Sequence, residues 1–195
     1  AQTGTGKTAA FMIPIVERLR GVCDGPGRHR SAMVLAPTRE LAEQTHQTIV
    51  DLGKGTKVRS VSIYGGVSKG PQAAALRRGV EIVVACPGRL LDHLDDGGID
   101  LSHVEVLVLD EADRMLDMGF LPDIRRILRH IPSKRQTLFF SATMPAPIAV
   151  LTREILRDPA MINLQRQSAP AVGITQAVYP VPQELKSALL TTLLK

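Results

Sequence analysis

Five short apolar runs, separated by stretches with helical spacing, constrain this chain more than any other feature. The runs are residues 32–36, 58–63, 82–85, 104–109 and 137–140. Most are continuous rather than alternating, which predicts strands buried on both faces. Between them, residues 7–20 carry Phe11, Ile15 and Leu19 at intervals of four, and residues 40–52 align Leu41, Thr45, Ile49 and Leu52. Residues 72–78, 89–94, 122–130 and 147–156 read as further helices, and Gly97 and Gly98 end one of them. Strands joined by helices run parallel, so the expected fold class is α/β: a three-layer parallel sheet with helices on both faces. With 195 residues and 44% hydrophobic content, the chain is long enough for one well-packed domain. Aromatic residues make up only 3% and Trp is absent, so aliphatic side chains must fill the core. A connector is expected near residues 165–171, an added strand over 174–181, and a helix from Gln183 onward.

Two motifs lie where such a sheet carries chemistry. Ala1, Gln2, Thr3, Gly4, Thr5, Gly6, Lys7 and Thr8 match a phosphate-binding loop, with Ala at its first position. The glycines let backbone N–H groups converge on one anion, and the following helix adds its positive dipole end. Lys7 supplies a cation for the outer phosphates, and Thr8 a hydroxyl for Mg2+. The second motif is Asp110, Glu111, Ala112 and Asp113, directly after the apolar run 104–109. Asp110 suits Mg2+, directly or through water, and Glu111 suits activation of an attacking water. Taken alone, the first motif also reads as a glycine-rich turn. The second equally reads as an acidic cap on the next helix.

Further elements follow the other runs. Pro37, Thr38, Arg39 and Glu40 open a helix, where N–H groups, a hydroxyl and a guanidinium suit a phosphodiester. Gly65 and Gly66 permit close approach of a sugar-phosphate backbone. Pro87, Gly88 and Arg89 mark another helix start suited to phosphate. Each has an ordinary structural reading when taken singly, but in a parallel sheet all three share the carboxyl edge, where ligands bind. None reads a base edge, so contact with nucleic acid should be sequence-independent and salt-sensitive. Ser141, Ala142 and Thr143 follow the last run, and their hydroxyls suit either a helix cap or a contact with the acidic motif. Met115, Leu116, Met118 and Phe120 read as packing residues, and Tyr64 as half-buried at a strand end.

In this order and at this spacing, the six elements resemble the ATP-binding half of the DEAD-box RNA helicases, whose name-giving tetrapeptide is Asp110 to Asp113. The resemblance implies a RecA-like P-loop NTPase domain, ATP and Mg2+ as ligands, and RNA as partner. It also implies that Ser141 and Thr143 bond to Asp113 and couple the ATP state to RNA binding. Where the family usually has Thr, this chain has Cys86, a poorer donor to phosphate. Residues 1–165 then correspond to the N-terminal RecA-like domain, and 166–195 to a connector and the start of a second RecA-like domain. That family has an adenine-reading segment and a strand ahead of the phosphate loop, and its second domain carries an arginine finger. The resemblance therefore implies a fragment, weakly active by itself. Two rivals remain: an ATP-gated RNA clamp with the same motifs, and a different P-loop enzyme such as a kinase or DNA translocase.

The formal charge of +5 is compatible with a polyanionic partner and identifies none. Cys23 and Cys86 form neither a metal-type pair nor a disulfide framework, which points to reduced thiols and a cytoplasmic setting. No apolar run reaches the length of a membrane span.

Overall fold

In a computed structural model, residues 6–20, 31–163 and 177–194 are described. The apolar runs become β1 (Ala32–Leu35), β2 (Ser60–Ile63), β3 (Ile82–Ala85), β4 (Val106–Leu109) and β5 (Gln136–Phe139). They form one sheet in the order β2-β3-β1-β4-β5, with every pairing parallel. Leu35 stands level with Ala85 and Leu109, Ile63 with Ala85, and Phe139 with Leu109. All five carboxyl ends therefore line one rim. β1, β3 and β4 are buried at every position, whereas β5 is partly exposed.

Alternate side chains of each strand face two separate cores, as a pleated strand requires. On one face, α1 (Lys7–Arg20) and α2 (Arg39–Leu52) pack Phe11, Met12, Ile15 and Ile49 against Val34, Val84 and Val108. The other face is covered by α3 (Lys69–Arg78), α4 (Pro87–Asp95), α5 (Ala112–Asp117), α6 (Leu121–Leu128) and α7 (Ala146–Ile155). Their Leu76, Leu90, Met115, Ile124 and Leu151 meet Met33, Leu35, Val83, Leu107 and Leu109. The three-layer architecture is thus as expected.

The differences have local causes. β2 starts at Ser60 rather than residue 58, because side chains capture the preceding amides. Val58 N donates to Thr56 Oγ1 at 3.2 Å, and Arg59 N to Glu81 Oε2 at 2.7 Å. β4 starts at Val106, because Val104 N turns back to Leu101 O at 3.1 Å. The six-residue α5 was not anticipated, and Met118, expected to pack, is exposed.

The chain divides into two compact units between Ala160 and Met161. In the second unit, Gln183–Leu185 form one 3-10 turn leading into α8 (Lys186–Leu193). Of the strand anticipated over 174–181, residues 174–176 lie outside the described residues, and 177–181 form no strand. The connector at 165–171 also lies outside them. Among the described residues, no helix is long and apolar enough to cross a membrane.

Candidate functional site

The rim brings the two main motifs together. Gly6 has φ +75°, a left-handed conformation that glycine adopts without steric cost, and its carbonyl accepts from Ala10 N at 3.0 Å to start α1. Lys7 is the first residue of α1, and its Nζ lies 2.8 Å from Asp110 Oδ1. The Lys7 side chain is only 11% exposed and that of Asp110 1%, so this ion pair is withdrawn from water. Asp110 follows β4 directly, and its amide donates to Leu35 O at 3.0 Å, which fixes it to β1. Its Oδ1 also accepts from Glu111 N at 3.0 Å, whereas Oδ2 is buried without a hydrogen-bond partner. A buried carboxylate oxygen left without a donor is an acceptor suited to a hard divalent cation or its water. Thr8, half-buried in the first turn of α1, is the second oxygen candidate. Residues Ala1, Gln2, Thr3, Gly4 and Thr5 lie outside the described residues.

Glu111 has φ 50° and ψ 52°, left-handed backbone for a residue other than glycine. Such backbone carries about 1–2 kcal/mol of strain and persists only where neighbours enforce it. Here Ala112 N is tied to Phe140 O at 3.0 Å, so the chain must turn sharply between Asp110 and Ala112. The Glu111 side chain is 16% exposed, and its Oε2 lies 3.3 Å from Arg114.

The tip of β5 reaches the same motif. Asp113 Oδ2 accepts from both Thr143 N and Thr143 Oγ1 at 2.8 Å. Asp113 N donates to Ser141 Oγ at 3.2 Å, and Ser141 Oγ donates to Thr143 O at 2.7 Å. Burial pushes the Asp113 carboxyl up. The bonds from Thr143, Ser141 and the Ala142 backbone outweigh it and hold the group below its ordinary value. The hydroxyls do not cap α7, whose N-cap Pro145 has no side-chain partner.

The remaining elements occupy the other half of the rim, after β1, β3 and β2. Pro37 is buried, and Thr38 is the N-cap of α2, its Oγ1 accepting from Leu41 N at 3.3 Å. Arg39 and Glu40 are exposed, and the Arg39 guanidinium lies 5.1 Å from the ring centroid of half-buried Tyr64. Gly65 and Gly66 are exposed, with φ +78° at Gly66 and open space where side chains would stand. Pro87 and Gly88 begin α4. Arg89 is more occupied than the sequence suggested: it donates to Val67 O at 3.0 Å and lies 3.3 Å from Asp92. It therefore ties the loop after β2 to α4.

Sequence reasoning missed the support beneath that loop. Gln72 donates to Tyr64 O at 3.0 Å, and its Oε1 lies 3.3 Å from His93 Nε2. Burial lowers the His93 pKa, with the nearby Lys69 and Arg89 cations adding to the effect. A polar residue inside each helical pattern was the only sequence signal. At the start of α4, burial pushes the Cys86 thiol up to about 11, with the Glu40 carboxylate adding to the shift. The thiol makes no capping bond.

Comparison with known proteins agrees with this geometry. The family model described as DEAD/DEAH box helicase matches residues 1–151. The chain is 43% identical over its whole length to the DEAD-box ATP-dependent RNA helicase CshA of Geobacillus kaustophilus, covering 41% of that protein. It is 50% identical over 84% of its length to the probable ATP-dependent RNA helicase DDX17 of Mus musculus, covering 25% of it. Among solved structures, a DEAD box protein from Methanococcus jannaschii superposes with a TM-score of 0.74 at 41% identity. That match covers 81% of this chain and 42% of the other. The chain thus spans less than half the length of these relatives. A matching family model over three quarters of the sequence, and an acidic motif held against Lys7 at the sheet rim, place the chain in the DEAD/DEAH box helicase family.

Proposed function

We propose that this chain is the ATP-binding part of an RNA helicase that hydrolyses ATP to open short RNA duplexes, gripping the backbone without reading sequence. The buried Lys7–Asp110 pair, with one Asp110 oxygen left over, carries the reading. Lys7 is paired with Asp110 at 2.8 Å, and from the first turn of α1 its ammonium would also meet the outer phosphates of a bound ATP. Asp110 and Thr8 would hold Mg2+, which spreads the charge that develops on the transferred phosphoryl group. Glu111 accepts the proton of the attacking water at a carboxylate oxygen.

RNA phosphates are held by the Thr38–Arg39 helix start, the open backbone at Gly65 and Gly66, and the Pro87–Arg89 turn. These elements follow three adjacent strands, which favours a continuous track. Asp113, Ser141, Ala142 and Thr143 couple the two halves of the rim. Residues 1–165 form the first RecA-like domain, and 166–195 lead into a second one that closes over ATP and RNA. The working compartment is the cytoplasm.

The test is Glu111→Gln in the full-length protein. ATP and RNA binding persist, while RNA-stimulated turnover falls by about 10²–10⁴-fold. Turnover within a few fold of the wild type would remove Glu111 as the base. RNA-stimulated hydrolysis without strand separation would instead make the protein an ATP-gated clamp.

A further inference from the structure

At the opposite end of β5 from the nucleotide motifs lies a cavity of about 360 Å³. Its walls come from the end of α6, the loop into β5, and the end of α7, and they carry Arg125, Arg129, Ser133, Arg135, Glu154 and Arg157. Four guanidiniums thus face one carboxylate. That carboxylate is already engaged: Glu154 accepts from Arg125 Nε at 3.1 Å and from Arg125 Nη2 at 2.8 Å. Arg135 donates through Nη1 to Pro132 O at 2.7 Å, but its Nε is buried with no partner. A buried guanidinium N–H without an acceptor is costly, and more so beside another cation. Burial, and then the Arg157 charge, push the Arg135 pKa down, the reverse of what a counter-ion would do.

We propose that this cavity is an anion site that takes a phosphate group, with Arg135 and Arg157 as its principal ligands and Arg129 and Ser133 at its mouth. Planar guanidiniums match phosphate oxygens in pairs, and the missing acceptor for Arg135 Nε is supplied by one of them. Arg135 immediately precedes β5, whose four residues span about 13 Å, so this phosphate is separate from the one bound by Lys7. The source is either the backbone of an RNA strand or a small phosphate such as a nucleotide.

The experiment uses the full-length protein carrying Lys7→Ala, so that the nucleotide site does not contribute. Inorganic phosphate is titrated at constant ionic strength and read by thermal shift. A short single-stranded RNA is titrated separately across a range of salt. Saturable phosphate binding is expected, weakened about tenfold by either Arg135→Gln or Arg157→Gln, the loss of one charge-assisted contact. Arg126→Gln, on α6 but paired outward with Asp95, is expected to leave it unchanged. A drop of about one in the RNA salt slope for Arg157→Gln identifies RNA backbone as the source. An unchanged slope with weakened phosphate binding identifies a small phosphate. The absence of saturable phosphate binding, or equal affinity in all three arginine variants, overturns the site. Should Arg135→Gln fail to fold, the exposed Arg157 carries the test by itself.

Discussion

Lys7→Ala separates a structural role from a catalytic one in the absence of nucleotide. Lys7 and Asp110 form an ion pair at 2.8 Å with side chains 11% and 1% exposed. Removing the lysine leaves the Asp110 carboxylate buried without a cation. Breaking such a pair typically costs 3–5 kcal/mol, and the residual exposure of Lys7 argues for the lower end, roughly 3 kcal/mol. For a unit of this size, 1 kcal/mol moves Tm by about 2–4 °C, so a fall of about 6–12 °C is expected. Adding Asp110→Asn removes the stranded charge, and the double variant should regain at least half of that loss. The assay is thermal unfolding of the full-length protein without ATP or Mg2+, read by a probe of this domain. Two results refute the reasoning: Lys7→Ala melting within about 1 °C of wild type, or a double variant as unstable as the single one. Either would mean that water or another group compensates Asp110.

Other expectations follow from the same contacts. Ser141→Ala combined with Thr143→Ala should spare ATP hydrolysis more than duplex separation, measured side by side; equal losses would count against a coupling role. Asp113 is held below its ordinary carboxyl value of 3.8, so its contribution to stability is complete above that value. The contribution is lost as pH falls through the lower folded value, and Thr143→Val should shrink this acid-side loss in denaturant titrations. In a Cys23→Ser background, Cys86, with its thiol near 11, should alkylate at pH 8 about a hundredfold more slowly than an ordinary thiol. Mass spectrometry of the native protein over time checks this.

Much of the fold was legible because buried parallel strands have an unmistakable composition. The runs at Ile82–Ala85 and Val106–Leu109 are wholly apolar, and the helix at Lys7–Arg20 has a clear four-residue rhythm. Strand starts were less legible, since capture of the Arg59 amide by Glu81, twenty-two positions away, is a tertiary event. The helix α5 escaped notice because it is six residues long and is entered through a strained residue with no side-chain cap. The candidate site was legible where a motif specifies backbone shape, as at Gly6, Lys7 and Asp110. It was not legible where a side chain changes employer: Arg89 serves Val67 O, and Thr38 serves the start of its own helix. The strand order, which places the phosphodiester candidates side by side, depends on pairings that no local pattern encodes.

That order constrains how information crosses the domain. The acidic motif and Ser141–Thr143 follow β4 and β5, whereas the phosphodiester candidates follow β1, β3 and β2, so within the sheet the two groups meet at the β1–β4 ladder. There, Ala32 to Leu35 match Val106 to Leu109 residue for residue, and the Asp110 amide extends the bonding past the strand end to Leu35 O. A ladder so completely bonded has no sliding mode of low energy. Any displacement passed between the two groups of motifs must therefore travel through the rim loops and the helices packed on the sheet, because the strands themselves are too stiff to shear.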